Sequence, residues 1–257
     1  MALLENKNAI IYGGGGYIGH VVAQTFAREG ATVFLAGRTE ATIRSVADEI
    51  TSGGGRAHTA VVDAMDEGAV EEHVRSVVDQ AGAVDVSFNL TTRGDVQGTR
   101  LLDMDVDDYL NPIATGARSN FITARAAARR MVERGSGVIL MVTSGSGGAA
   151  TPPEVWPMGG TGPADAATES FMRYLAAEVG PRGVRVACLW TAGAKDTSAA
   201  VADPNEEAKE RIISSASMMR RRPTIQQLAE TAAFIASDLG SGITASIVNV
   251  NSGLSAH

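Results

Sequence analysis

Short runs of apolar, β-branched residues alternate along the chain with longer stretches whose apolar positions recur every three or four residues. The short runs predict strands at 8–12, 32–36, 57–63, 84–89, 138–143, 184–190 and 247–250. Several are apolar throughout, the pattern of strands covered on both faces. The longer stretches predict helices near 18–29, 40–52, 67–81, 105–133, 164–180 and 224–238. Regular alternation of the two implies a parallel, doubly wound sheet with right-handed crossovers. No linker divides the chain, so residues 1–257 are expected to form one domain. The glycines at 53–55 read as a helix-to-strand turn. The longest irregular stretch, 145–162, follows the fifth strand at the carboxyl edge, where open sheets bind ligands. A second, 191–204, follows the sixth strand at the same edge, and 205–219 reads as a short helix over the mouth.

Composition narrows the classes. With 257 residues, 44% of them hydrophobic, the chain can bury a large core. A net charge of −7 argues against a nucleic-acid binder. The one basic run, Arg220-Arg221-Arg222, reads as a solvated helix end, with substrate steering as the alternative. The single cysteine, Cys188, lies in an apolar strand, which suits a reducing compartment. The first ten residues lack a signal-peptide pattern, and no apolar run approaches the ~18 residues of a membrane span. A cytoplasmic protein is expected.

The chemistry begins after the first strand, at Tyr12-Gly13-Gly14-Gly15-Gly16-Tyr17-Ile18-Gly19. Glycines 14, 16 and 19 fit G-x-G-x-x-G, and 13, 16 and 19 fit G-x-x-G-x-x-G. Between a strand and a helix, this spacing lets the backbone turn sharply and approach a pyrophosphate at the helix N-terminus. Gly13, Gly16, Tyr17, Ile18 and Gly19 are therefore candidate dinucleotide contacts. At the end of the second strand an acid would hold ribose hydroxyls, but Gly37 stands there, followed by Arg38 and Thr39. A guanidinium suits a 2′-phosphate, so NADP(H) is expected, with NAD(H) as the alternative and an empty relic site as the third reading.

On these and other residues the chain resembles the short-chain dehydrogenase/reductase family over nearly its whole length. Val62-Asp63, Asp85 to Asn89, Glu178 to Val186, Phe234 to Asp238 and Val250-Asn251-Ser252-Gly253 all match its landmarks. The resemblance implies a three-layer Rossmann-type α/β fold of about seven parallel strands. It implies Asp63, Asn89 and Gly193 as further cofactor contacts, and a homodimer or homotetramer. Small residues at 124–128 and 164–177 suit close packing between subunits. The family's chemistry is hydride transfer on a Ser/Tyr/Lys/Asn set. Ser144 falls on the serine. The Tyr-x-x-x-Lys motif lands on Thr161 and Asp165, and the enoyl-reductase variant of the tyrosine lands on Met158. The relay asparagine falls near Gly116, with Asn111 and Asn120 nearby. A threonine hydroxyl is a far weaker acid than a phenol of pKa ~10.

Ser144, Thr161 and Asp165 are thus the candidate catalytic groups, with Ser146, Glu154, Trp156, Trp190, Thr191 and Lys195 around them. Asp165 reads either as an acid/base or ribose-binding carboxylate, or as a helix N-cap or first-turn residue. His20 could touch a phosphate; His58 and His73 read as surface or strand-edge residues; His257 is terminal. No metal cluster is read. Three functions stay open. The first is an NADP(H)-dependent oxidoreductase acting on a carbonyl or enone through an atypical proton donor, either Ser144 or a water held by Thr161 and Asp165. The second is a non-redox lyase, isomerase or cyclase, and the third is an inactive binding or partner subunit.

Overall fold

The computed structural model describes residues 2–144, 157–195 and 206–254. The expected residues Ser146, Glu154, Trp156 and His257 lie outside these. Strand β1 (Asn8–Tyr12) leads to α1 (Tyr17–Arg28), then β2 (Thr32–Gly37), α2 (Glu40–Ser52), β3 (Arg56–Val61), α3 (Glu67–Ala81) and β4 (Val86–Asn89). The second half runs α4 (Val106–Arg134), β5 (Gly137–Thr143), α5 (Thr161–Val179), β6 (Val184–Trp190), α6 (Glu206–Ala216), α7 (Ile225–Ala236) and β7 (Ser246–Asn249). The strands form one sheet in the order β3-β2-β1-β4-β5-β6-β7, every pair parallel. The order reverses between β1 and β4, which opens a crevice at their carboxyl ends.

Strand alternation divides the core. Ile11 and Leu35 face one side, with Val22 and Phe26 of α1, Ile43 of α2 and Leu228 of α7. Ile10, Tyr12 and Phe34 face the other, with Val74 of α3, Ala127 of α4 and Met172 of α5. Helix α5 begins at Thr161, three residues earlier than its apolar pattern suggests. Strand β3 is an edge strand with mostly exposed side chains, and His58 on it stacks on Phe34 at 4.8 Å.

Two expectations are corrected. Arg222 is buried rather than solvated, because its Nε donates to the Gly193 carbonyl at 2.6 Å and its guanidinium lies near Glu210. His73 is only 7% exposed. It falls on the face of α3 that carries Val70, Val74 and Val77, and its ring meets the edge of Tyr12 at 5.8 Å. Burial pushes its pKa down to about 4. An unfolded chain would bind the proton near the ordinary 6.5, and the folded chain only near 4. Stability from this residue is therefore complete above pH 6.5 and lost as pH falls through that window, by roughly 3 kcal/mol. Urea titrations at pH 7 and pH 4 should show wild type losing that much more than His73→Leu. Equal losses would refute the assignment.

Candidate functional site

The glycine loop is shaped by contacts that leave no room for side chains. Gly13 adopts φ +76° and its N–H donates to the Ala36 carbonyl at 2.8 Å, tying the loop to β2. A Cβ on Gly13 would lie 2.6 Å from the Leu90 carbonyl, and one on Gly19 only 2.1 Å from the Gly13 carbonyl. The first turn of α1 thus sits directly against the loop. Its N-cap, Gly16, provides no side-chain cap, so the positive end of the helix dipole faces the crevice.

That crevice is a cleft of about 660 Å³, the size of a small-molecule site. Gly13, Gly16, Tyr17, Ile18, Arg38, Thr39, Asp63, Asn89, Ser144 and Gly193 all line it; Gly19 supports the loop from behind. Arg38 is exposed and has no ion-pair or hydrogen-bond partner among the described residues. Asp63 ties its own turn by accepting from the Met65 amide at 2.9 Å. Asn89 is a brace: its amide nitrogen donates to Asn120 at 2.8 Å and its oxygen accepts from the Thr91 hydroxyl at 2.8 Å. Asn120 donates onward to Thr168, joining β4, α4 and α5. His20 turns away from the loop to Glu49, 3.1 Å distant, and Lys195 pairs with Glu210 at 3.1 Å.

The centre of the cleft is built around Asp165. It is the fifth residue of α5 and fully buried, so it neither caps the helix nor lies in its first turn. Its Oδ2 accepts from the Ser144 amide at 3.0 Å and from the Ser144 hydroxyl at 2.9 Å. Its Oδ1 accepts from Arg93 Nη1 at 2.6 Å. Arg93 also clasps Asp95, with Nε on Oδ2 at 3.2 Å and Nη2 on Oδ1 at 3.0 Å. Burial opposes the charge on Arg93, but Asp165 and then Asp95 outweigh it and raise its pKa above the ordinary value. Thr161 is fully buried and accepts from Gln97 Nε2 at 3.3 Å. One turn beyond Asp165, buried Glu169 faces the Thr143 hydroxyl at 3.4 Å. Burial, then the charge of Asp165, pushes its carboxyl up, against the opposing pull of Arg173 and Thr143. Cys188, beneath Thr143, is fully buried and its thiol is pushed up to about 12, chiefly by burial.

Arg93 and Asp95 are absent from the sequence reading because they lie in an irregular loop after β4. One signal was available. A Cβ at Gly116 would sit 2.7 Å from Arg93 Cδ, so this glycine, near the expected relay position, opens the space that Arg93 fills.

The site fits a nicotinamide dinucleotide on its own geometry. The glycine cradle and uncapped helix line one end, and exposed Arg38 borders the same cleft. At the far end the buried Thr191 hydroxyl lines the cleft with no hydrogen-bond partner among the described residues. Those residues hold no group of His, Cys, Asp and Glu able to bind a metal ion. None of their helices is long and apolar enough to cross a membrane.

Comparison with known proteins agrees in extent and fold. The family model described as enoyl-(acyl carrier protein) reductase matches residues 16–255. The 3-oxoacyl-[acyl-carrier-protein] reductase FabG of Chlamydia pneumoniae is 29% identical, over 98% of both chains. The L-rhamnose 1-dehydrogenase (NAD(P)(+)) of Azotobacter vinelandii is 32% identical, again over 98% of both. A dehydrogenase/reductase from Sinorhizobium meliloti 1021 superimposes with a TM-score of 0.84 at 26% identity, covering 98% of this chain and 96% of that one. Landmarks, sheet order, cleft and matches together make this chain a member of the short-chain dehydrogenase/reductase family.

Proposed function

We propose that the protein is an NADP(H)-dependent oxidoreductase that interconverts a small carbonyl compound or enone with its reduced form, using Ser144 and Asp165 in place of a phenol and an ammonium. The observation that carries this reading is the Asp165 carboxylate, held by Arg93 on one oxygen and by Ser144 on the other. Names of relatives such as the NAD(P)(+)-using rhamnose dehydrogenase support a nicotinamide cofactor.

When bound, the nicotinamide would supply or take the hydride. Gly13, Gly16, Tyr17 and Ile18 would hold the pyrophosphate, Arg38 and Thr39 the adenosine ribose and its 2′-phosphate, and Asp63, Asn89 and Gly193 would shape the remaining walls. In the oxidising direction Ser144 takes the alcohol's proton as its own passes to the Asp165 carboxylate to which it donates; in the reducing direction it gives its hydroxyl proton to the substrate oxygen and is reprotonated from solvent. Thr161 anchors the start of α5 and so sets where Asp165 stands.

Calorimetric titration should show NADPH binding, and NADPH oxidation should follow addition of a carbonyl from a test panel. No cofactor binding would sink the reading. Arg38→Ala should weaken NADPH about 10–100-fold, the worth of one or two charge-assisted bonds, and leave NADH unchanged. Equal effects on both would remove Arg38 from the phosphate site.

The outer face of α4 and α5 suits a homodimer or homotetramer. Phe121 and Tyr174 stand exposed there, and Phe121 lies 5.8 Å from the Phe171 ring. The alanines at 124, 126, 127 and 128 do not serve this face, because they are buried within the subunit. A reducing compartment, the cytoplasm, suits the lone buried Cys188.

A further inference from the structure

We infer that Arg93 is the electrophile of the site, and that its open N–H groups bind the oxygen of an uncharged carbonyl substrate. The inference rests on the oxidoreductase reading above and assigns the group that receives the developing negative charge.

A carbonyl oxygen that takes on the π electrons when hydride attacks its carbon needs hydrogen-bond donors aimed at it. Ser144 does not supply one at rest, because its only O–H is directed at Asp165. Arg93 does. Its side chain is 14% exposed and lines the cleft beside Ser144. Of the five guanidinium N–H groups, Nε, one on Nη1 and one on Nη2 are committed to Asp95 and Asp165. The second N–H on Nη1 and on Nη2 have no acceptor among the described residues. Three anchoring bonds fix the plane of the fork, and Gly116 leaves room for its stem. A group so held does not have to reorganise as charge develops.

The same cluster selects against acids. Asp95 and Asp165 around one guanidinium leave a net negative charge at the cleft. A substrate carboxylate there would add a second, whereas a neutral ketone, aldehyde or enone would not. In the reducing direction the hydride's electron pair forms the new C–H bond. The carbonyl π pair moves onto oxygen against Arg93, and the proton that completes the alcohol comes from the Ser144 hydroxyl, which solvent reprotonates while Asp165 stays ionised.

Two isosteric probes test this. NADPH-loaded wild type should bind isobutyramide, whose carbonyl mimics the substrate, about tenfold or more tightly than isobutyrate. Arg93→Lys keeps the charge but loses the planar fork, and should weaken the amide by about tenfold at unchanged NADPH affinity. The paired variant Arg93→Met with Asp165→Asn avoids a buried unpaired charge, so it should fold. Its affinity for isobutyramide should fall at least as far as in Arg93→Lys, a readout that does not depend on Asp165 as proton partner. Added guanidinium should restore part of the loss in Arg93→Ala, wherever that variant's circular dichroism is native. Tighter binding of isobutyrate, or unchanged amide affinity in Arg93→Lys and in the paired variant, overturns the assignment while leaving the oxidoreductase reading intact. Failure of wild type to bind NADPH overturns both.

Discussion

Arg93→Ala should lose about 3–5 kcal/mol of stability, the usual result of stripping the partner from a buried ion. Asp165 is fully buried, and Arg93 is the cation bonded to its Oδ1. The two hydrogen bonds from Ser144 would remain, but neither carries a charge. Asp95→Asn should be much milder, because Asp95 is partly exposed and its loss leaves the Asp165 pair whole. The paired change Arg93→Met with Asp165→Asn should recover most of the deficit, since it removes both ions of the buried pair and leaves only the partly exposed Asp95 without its cation. Equilibrium denaturation of the four proteins measures this directly. A loss below about 1 kcal/mol in Arg93→Ala would place the pair among ordinary surface bridges and deny that it organises the cleft.

Ser144→Ala should lower kcat/KM by about 10²–10⁴-fold, the range for a positioned proton-transfer group, without changing NADPH affinity. The substitution removes the link between Asp165 and the cleft but keeps the backbone N–H that holds the other half of that contact. Ser144→Thr, which keeps a hydroxyl, should retain more activity than alanine. If alanine and threonine behave alike, the hydroxyl is only a strand-end feature. Fast binding with slow turnover in Ser144→Ala would separate the proton path from the cofactor cradle.

The fold was readable because its signals are local and repeated. Apolar runs gave β1 and β6 their bounds to the residue, and α2 and α3 likewise, since each ends at glycine or at a change of pattern. The glycine loop was equally plain, because spacing alone encodes a close backbone approach. Arg222 was misplaced because a short basic run looks solvated until its tertiary contacts are known, and His73 because a polar residue was read as exposed although its spacing sets it on the apolar face of α3. Arg93 was invisible for a different reason. It lies 72 residues from Asp165, in a loop with no periodicity, and its role exists only when β4, α4 and α5 converge. The carboxylate at position 165 posed the question, but the sequence did not say which cation answered it.

The space that Gly116 leaves for Arg93 constrains how this site can be rebuilt. An asparagine at 116 would put its Cβ 2.7 Å from Arg93 Cδ. A lysine at 165 would set two cations together, and removing Arg93 alone would strand Asp165. Each of these single changes therefore disturbs a contact made by one of the other two positions. Positions 93, 116 and 165 are coupled through one guanidinium, so a redesign that changes any of them has to adjust the other two.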